Sequence, residues 1–122
     1  MISREHKHLL NYVRVSMKIA ELFNVSGKVA IVTGGSRGIG EMIAAGFLAN
    51  GVKVYITARK EAALIEKAHE LSKTYAGECI PVPCDLSTMD GMNDFVDFIQ
   101  SKEEHIDFLI NNAGASWGEP YA

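Results

Sequence analysis

Along this chain, short and nearly charge-free apolar runs alternate with longer stretches in which apolar residues recur every third or fourth position. The first run, Val29 to Thr33, is β-branched and uncharged, as a strand buried on both faces of a parallel sheet requires. Ile39, Met42, Ile43 and Phe47 then recur at helical spacing, with Gly46 on the same face, and predict a first helix that stops at Asn50-Gly51. Val52 to Thr57 predicts the second strand. Leu64, Ile65, Ala68, Leu71, Ser72 and Tyr75 mark one face of a second helix, ended by Gly77. Cys79 to Cys84 predicts the third strand, and Ile106 to Ile110 the fourth. Between these two, Ser87-Thr-Met-Asp90 has the form of a capping box, opening a third helix with inner face Met92, Phe95, Val96 and Ile99.

Regular alternation of strand and helix predicts an α/β, doubly wound parallel sheet. Right-handed crossovers put the first two helices on one face and, after a reversal, the third on the other, so the strand order is 3-2-1-4. The carboxyl ends of strands one and four then flank a crevice of the kind that takes a dinucleotide.

Two motifs fall at that crevice. After strand one comes Gly34-Gly-Ser-Arg-Gly38-Ile-Gly40, in which Gly34, Gly38 and Gly40 allow a sharp turn, close approach to phosphates, and a helix pressed onto the sheet. The amides at that helix's start attract anions. The spacing lacks the Gly-Lys-Ser/Thr ending of a phosphate-binding loop, which disfavours ATP hydrolysis. After strand four comes Asn111-Asn-Ala-Gly114.

Together, Thr33-Gly34-x-x-x-Gly38-x-Gly40 and Asn-Asn-Ala-Gly about seventy residues later resemble the classical short-chain dehydrogenase/reductase family. Within it, Phe23 to Gly118 looks most like the 3-oxoacyl-[acyl-carrier-protein] reductases, and Asn111 to Gly118 is similar to the form associated with rhamnolipid biosynthesis. The resemblance implies an incomplete Rossmann-type sheet, a cofactor-binding half of a longer enzyme. Its cofactor set would be Gly34, Ser36, Arg37, Gly38, Ile39, Gly40, Arg59, Asp85, Leu86, Asn112, Ala113 and Gly114. Asp85-Leu86 resembles the family's adenine-binding pair, with a helix-leading aspartate as the plain alternative. Asn112, Ala113 and Gly114 would meet the adenosine ribose and the wall behind the nicotinamide, while Asn111 ties strands together.

An NAD-preferring site has a carboxylate after strand two to bind the ribose hydroxyls. Here Ala58-Arg59-Lys60 stands instead. Arg59, helped by Arg37, offers a fork to the 2′-phosphate of NADP(H). Methyl transfer from S-adenosylmethionine would also want an acid at that place.

The family's proton donor is a tyrosine in Tyr-x-x-x-Lys. Tyr12, Tyr55, Tyr75 and Tyr121 have no lysine four residues later, so no catalytic residue is assigned, Ser116 and Trp117 included. The expectation is that this chain alone is inactive, derived from an NADP(H)-dependent oxidoreductase whose full-length form reduces a 3-oxoacyl thioester or similar ketone. A non-catalytic nucleotide- or partner-binding fragment is the alternative.

Bulk properties act by exclusion. With 122 residues, 48% hydrophobic, 22% charged and a formal net charge of −3, the chain is at most one small domain with no basic field for nucleic acid and no membrane span. Cys79 and Cys84 have no second pair or nearby histidines for zinc; they read as free thiols kept reduced in a cytoplasmic enzyme, although a bridge is allowed by count. The pair His6-Lys-His8 lacks a third metal ligand. The family resemblance implies a homo-oligomer, dimer or tetramer, in the full-length form.

Residues 1–24 break the pattern and are expected to be an extension to a domain over 25–122. Arg4, Lys7, Arg14 and Lys18 among Leu9, Leu10, Val13 and Met17 would suit a mitochondrial transit peptide, against which Glu5, Glu21 and the scarcity of serine argue. Met17 onward resembles the family's usual opening, which makes Met17 the alternative start.

Overall fold

The structure, a computed structural model, describes residues 19–112. The segment 1–18, with His6, His8 and Met17, and the segment 113–122, with Ala113, Gly114, Ser116, Trp117 and Tyr121, lie outside the described residues. β1 (Val29–Thr33), β2 (Lys53–Ala58), β3 (Cys79–Pro83) and β4 (Phe108–Ile110) form one parallel sheet in the order β3-β2-β1-β4. α1 (Gly38–Ala49), α2 (Glu61–Thr74) and α3 (Met89–Lys102) connect them, and a single helical turn at Ile19–Leu22 precedes the sheet.

The predicted order and the division of the helices are both observed. On one face, Ala30, Val32, Val54 and Ile56 pack against Ala44 and Leu48 of α1 and Leu64, Ala68 and Leu71 of α2. On the other, Val29, Ile31, Tyr55 and Val82 pack against Ile99 of α3, with Phe95 and Phe98 beside it. β1 is buried throughout because it lies between the two clusters. Leu48 and Leu64 are fully buried, and each such side chain contributes about 1.5–3 kcal/mol.

Several local expectations are corrected. The buried stripe of α1 is Gly40, Ala44 and Leu48; Ile39 and Met42 are 70% and 73% exposed, Gly46 is exposed, and only Ile43 and Phe47 are half-buried. The small residues face the sheet because the start of α1 presses on the preceding turn: a Cβ on Gly40 would collide with the Gly34 carbonyl. In α2, Ile65 is exposed while Leu64, Ala68 and Leu71 are buried. The helix ends at Thr74, capped by Tyr75 in an extended conformation. Gly77 is not its terminator. It is buried where a Cβ would strike the Val52 carbonyl, so it is small for close approach.

In α3 the cap is Thr88, not Ser87: its hydroxyl accepts the Gly91 N–H at 3.0 Å. With glycine three residues after the cap, no side chain returns the bond, and the capping box is absent. Its inner face is Phe95, Phe98 and Ile99; Met92 and Val96 are exposed. β4 begins at Phe108; just before it, the Asp107 N–H donates to the Val29 carbonyl and the Asp107 carboxylate accepts the Val29 N–H, both at 2.9 Å.

Away from the crevice, Tyr55 donates its hydroxyl to Glu103 at 2.6 Å, and the Lys53 ammonium meets the same oxygen at 2.6 Å. This pins β2 to the end of α3. Burial, then the bond to Glu103, pushes the Tyr55 phenol up to about 12.

Candidate functional site

Parallel strands end at one edge, and the register sets the level at which each chain segment leaves the sheet. Thr33 lies opposite Thr57, Ala58 opposite Pro83, and Val32 opposite Ile110. Gly34, Arg59, Cys84 and Asn111 therefore emerge side by side. Gly34, Ser36, Arg37, Gly38, Arg59, Asp85, Leu86 and Asn112, which the sequence nominated, line one crevice of about 1350 Å³. The crevice is open on one side, and its volume is above the roughly 300–1,000 Å³ of an ordinary small-molecule pocket. Ile39 and Gly40 do not line it.

The turn has the shape its glycines imply. Gly34 and Gly38 have φ of 67° and 60°, a conformation that favours glycine. A Cβ on Gly38 would meet nothing within 4 Å, so the space above it is open. The turn is held from both sides. Gly34 N–H donates to the Thr57 carbonyl at 3.0 Å, and the Asn112 side-chain amide donates to the Gly34 carbonyl at 3.4 Å. The Thr33 hydroxyl has Asn111 Oδ1 at 3.3 Å, which joins β1 to β4 as expected of Asn111.

The electrostatics favour an anion. The residues preceding α1 and α2 are Arg37 and Lys60, and neither side chain caps its helix, so the first-turn amides are left to other acceptors. By contrast α3, which starts away from the glycine turn, has its own cap in Thr88. Among the described residues, Arg37, Arg59 and Lys60 are in no ion pair, and all three are exposed at the crevice. Asp85 accepts from the Ser87 hydroxyl at 2.6 Å and its N–H at 3.0 Å. Those bonds, with the Arg59 charge, hold its carboxyl below the usual range.

Sequence reasoning passed over several contributors. Gly35 is buried, and a Cβ there would lie 2.5 Å from Ile56 Cγ2, a neighbour on another strand that spacing cannot show. Thr57, Lys60 and Ser87 also line the crevice; Lys60 had a signal in its position beside Arg59. Lys67 and Glu70 form part of the wall on α2, with Lys67 bonded to Glu41 and Glu70, which raise its pKa.

Cys79 and Cys84 are free thiols, the first buried and the second half-buried at the crevice. Burial pushes Cys79 up to about 12, and burial with the Asp85 charge raises Cys84. Among the described residues no three His, Cys, Asp or Glu side chains group as a metal site, and no helix is long and apolar enough to cross a membrane.

Comparison with known proteins accords with this geometry. The family model for short chain dehydrogenase matches residues 28–122. The rhamnolipids biosynthesis 3-oxoacyl-[acyl-carrier-protein] reductase of Pseudomonas aeruginosa is 44% identical over 96 residues, 79% of this chain and 37% of that protein. This chain therefore spans little more than a third of that relative. Among solved structures, the Pseudomonas aeruginosa RhlG/NADP active-site complex superposes with a TM-score of 0.75 at 43% identity, over 80% of this chain and 38% of that one. L-sorbose reductase from Gluconobacter frateurii, complexed with NADPH and L-sorbose, gives 0.75 at 36% identity, over 80% and 37%. A glycine turn, an uncapped helix and an asparagine strand end thus stand in a chain that belongs to the short-chain dehydrogenase family.

Proposed function

We propose that residues 25–122 form the cofactor-binding half of an NADP(H)-dependent carbonyl reductase, and residues 1–24 an extension to it. The complete form would reduce a 3-oxoacyl thioester or similar ketone. One observation carries the cofactor choice: Arg37 and Arg59 line the same crevice as the glycine turn, and the chain leaves β2 through Ala58-Arg59 with no carboxylate there. A 2′-phosphate would meet two guanidinium groups and no carboxylate at the end of β2. The solved relatives that bind NADP or NADPH support this choice.

When bound, NADPH supplies hydride to a carbonyl carbon. The chain's part is to bind and orient. Gly34, Ser36, Gly38 and the amides at the start of α1 would hold the pyrophosphate, Arg37 and Arg59 the 2′-phosphate, and Asp85 with Leu86 the adenine. Asn112, with Ala113 and Gly114, would hold the ribose, and Gly40 lets α1 approach the turn. Ile39 would take part through its backbone, as its side chain does not line the crevice. No residue of this sequence is assigned proton donation. A homo-oligomeric complete form and a cytoplasmic location belong to the same proposal.

Titrating NADPH and NADH against the unmodified chain and the Arg59→Asp variant tests the cofactor choice. Loss of charge-assisted phosphate bonds, with repulsion added, should shift the NADPH:NADH preference at least about tenfold. Equal binding of both cofactors by the unmodified chain would reject the assignment. The competing role is non-catalytic nucleotide or partner binding. NADPH oxidation with a 3-oxoacyl thioester, assayed on the protein that carries this segment, separates the two.

A further inference from the structure

Glu41 stands in the first turn of α1, where the helix field favours a negative charge. It is the chain's own competitor for the place that attracts an incoming phosphate. From α2, the Lys67 ammonium stands 2.9 Å from the Glu41 carboxylate and 3.2 Å from that of Glu70. The Lys67 and Glu41 side chains are 24% and 32% exposed, so this pair is partly shielded from water. Lys67 and Glu70 line the crevice together with Arg37 and Arg59, which places the ion pair beside the anion site. Glu66 lines the same wall. Without Lys67, the only charged groups that α2 brings to the crevice would be the carboxylates of Glu66 and Glu70.

We propose, on the NADP(H) reading above, that Lys67 is a positioning residue for the cofactor: it neutralises Glu41 and Glu70 and draws the Glu41 carboxylate toward α2, leaving the first turn of α1 to phosphate. Lys67 acts through Glu41 and is not itself a phosphate ligand. NADP(H) carries one phosphate more than NAD(H), so uncovered carboxylates weaken it more. Lys67 therefore sets the preference between the cofactors as well as the affinity.

The test measures NADPH and NADH affinity by fluorescence titration at low and high salt, on the full chain and on Lys67→Met, Lys67→Arg, and Lys67→Met together with Glu41→Gln. Thermal midpoints monitor folding. At low salt Lys67→Met should weaken NADPH binding about threefold to tenfold and NADH binding less, with the difference shrinking at high salt. Adding Glu41→Gln should recover most of the loss, and Lys67→Arg, which keeps the charge, should bind as the unmodified chain does. A bridge serving only to hold α1 to α2 would give a loss that salt leaves alone and Glu41→Gln deepens. That pattern, unchanged NADPH binding in Lys67→Met, or a loss in a folded Lys67→Arg variant overturns the proposal. If the unmodified chain prefers NADH, the NADP(H) reading falls by itself, and rescue by Glu41→Gln measured with NADH still decides the role of Lys67. Binding of neither cofactor overturns both.

Discussion

The backbone N–H of Asn112 donates to the hydroxyl of Thr33 at 2.9 Å, across 79 positions of sequence. Thr33 is the last residue of β1 and is buried, and Asn112 follows the end of β4. One side-chain oxygen thus joins the two segments on either side of the crevice. The Asn112 side chain, held this way, reaches the Gly34 carbonyl. Replacing Thr33→Val keeps the volume and removes the acceptor. Stability should fall by about 1 kcal/mol, read as a lower urea midpoint, and NADPH affinity should fall with it as Asn112 is released. An unchanged midpoint and affinity would show that the hydroxyl does not fix the crevice.

Two glycines of α1 should answer the same substitution with opposite signs. Gly40→Ala puts a methyl against the Gly34 carbonyl and the Asn112 amide, and should cost about 1–3 kcal/mol through overpacking. Gly46 has nothing within 4 Å of an added Cβ and no positive φ, so Gly46→Ala should add about 0.5–1 kcal/mol through helix propensity. Thermal midpoints of the two variants decide it. A rise in both would mean that α1 does not press on the turn.

The Glu103 carboxyl is held below its ordinary range by Lys53 first and by the Tyr55 hydroxyl second. A depressed carboxylate pKa contributes stability that is present above the unfolded value, about 4.3, and is lost as pH falls through the folded value. Glu103→Gln should therefore be less stable than the unmodified chain near neutrality, with the gap closing below about pH 4.3. Tyr55 carries the opposite sign, its contribution being complete below about pH 10 and lost as pH rises toward about 12. Chemical denaturation across pH measures both, and a gap that stays constant into acid would contradict the Glu103 assignment.

Cys84 is half-buried at the crevice and Cys79 is buried with its thiol near 12. At neutral pH a maleimide should label Cys84 slowly and Cys79 only after unfolding. NADPH should slow the first reaction, because its place adjoins Cys84. Equal labelling rates for the two thiols in the folded chain would contradict the burial order, and labelling of Cys84 that ignores saturating NADPH would place the cofactor elsewhere.

Much of the fold was legible in the residues because the signals were unambiguous. Val29 to Thr33 has no charge to turn toward water, so it had to lie between two layers, and β1 does. The order β3-β2-β1-β4 follows from the handedness of crossovers, a consequence of L-chirality that needs no side-chain detail. Given that order, the glycine turn and Asn111-Asn112 must share an edge, and Arg59 must leave β2 beside them.

Where contrast between polar and apolar residues was missing, the chain could not declare its own faces. α1 carries Glu41 as its only charge, so Ile39, Met42 and Gly46 fitted a helical stripe as well as Gly40, Ala44 and Leu48 did. Steric contact with the Gly34 turn chose between them. The same holds for Gly35 against Ile56 and for Lys67 reaching Glu41 across two helices. Periodicity records how each residue suits water or a core; which surface it meets, and at what distance, arises only when elements far apart in sequence are packed together.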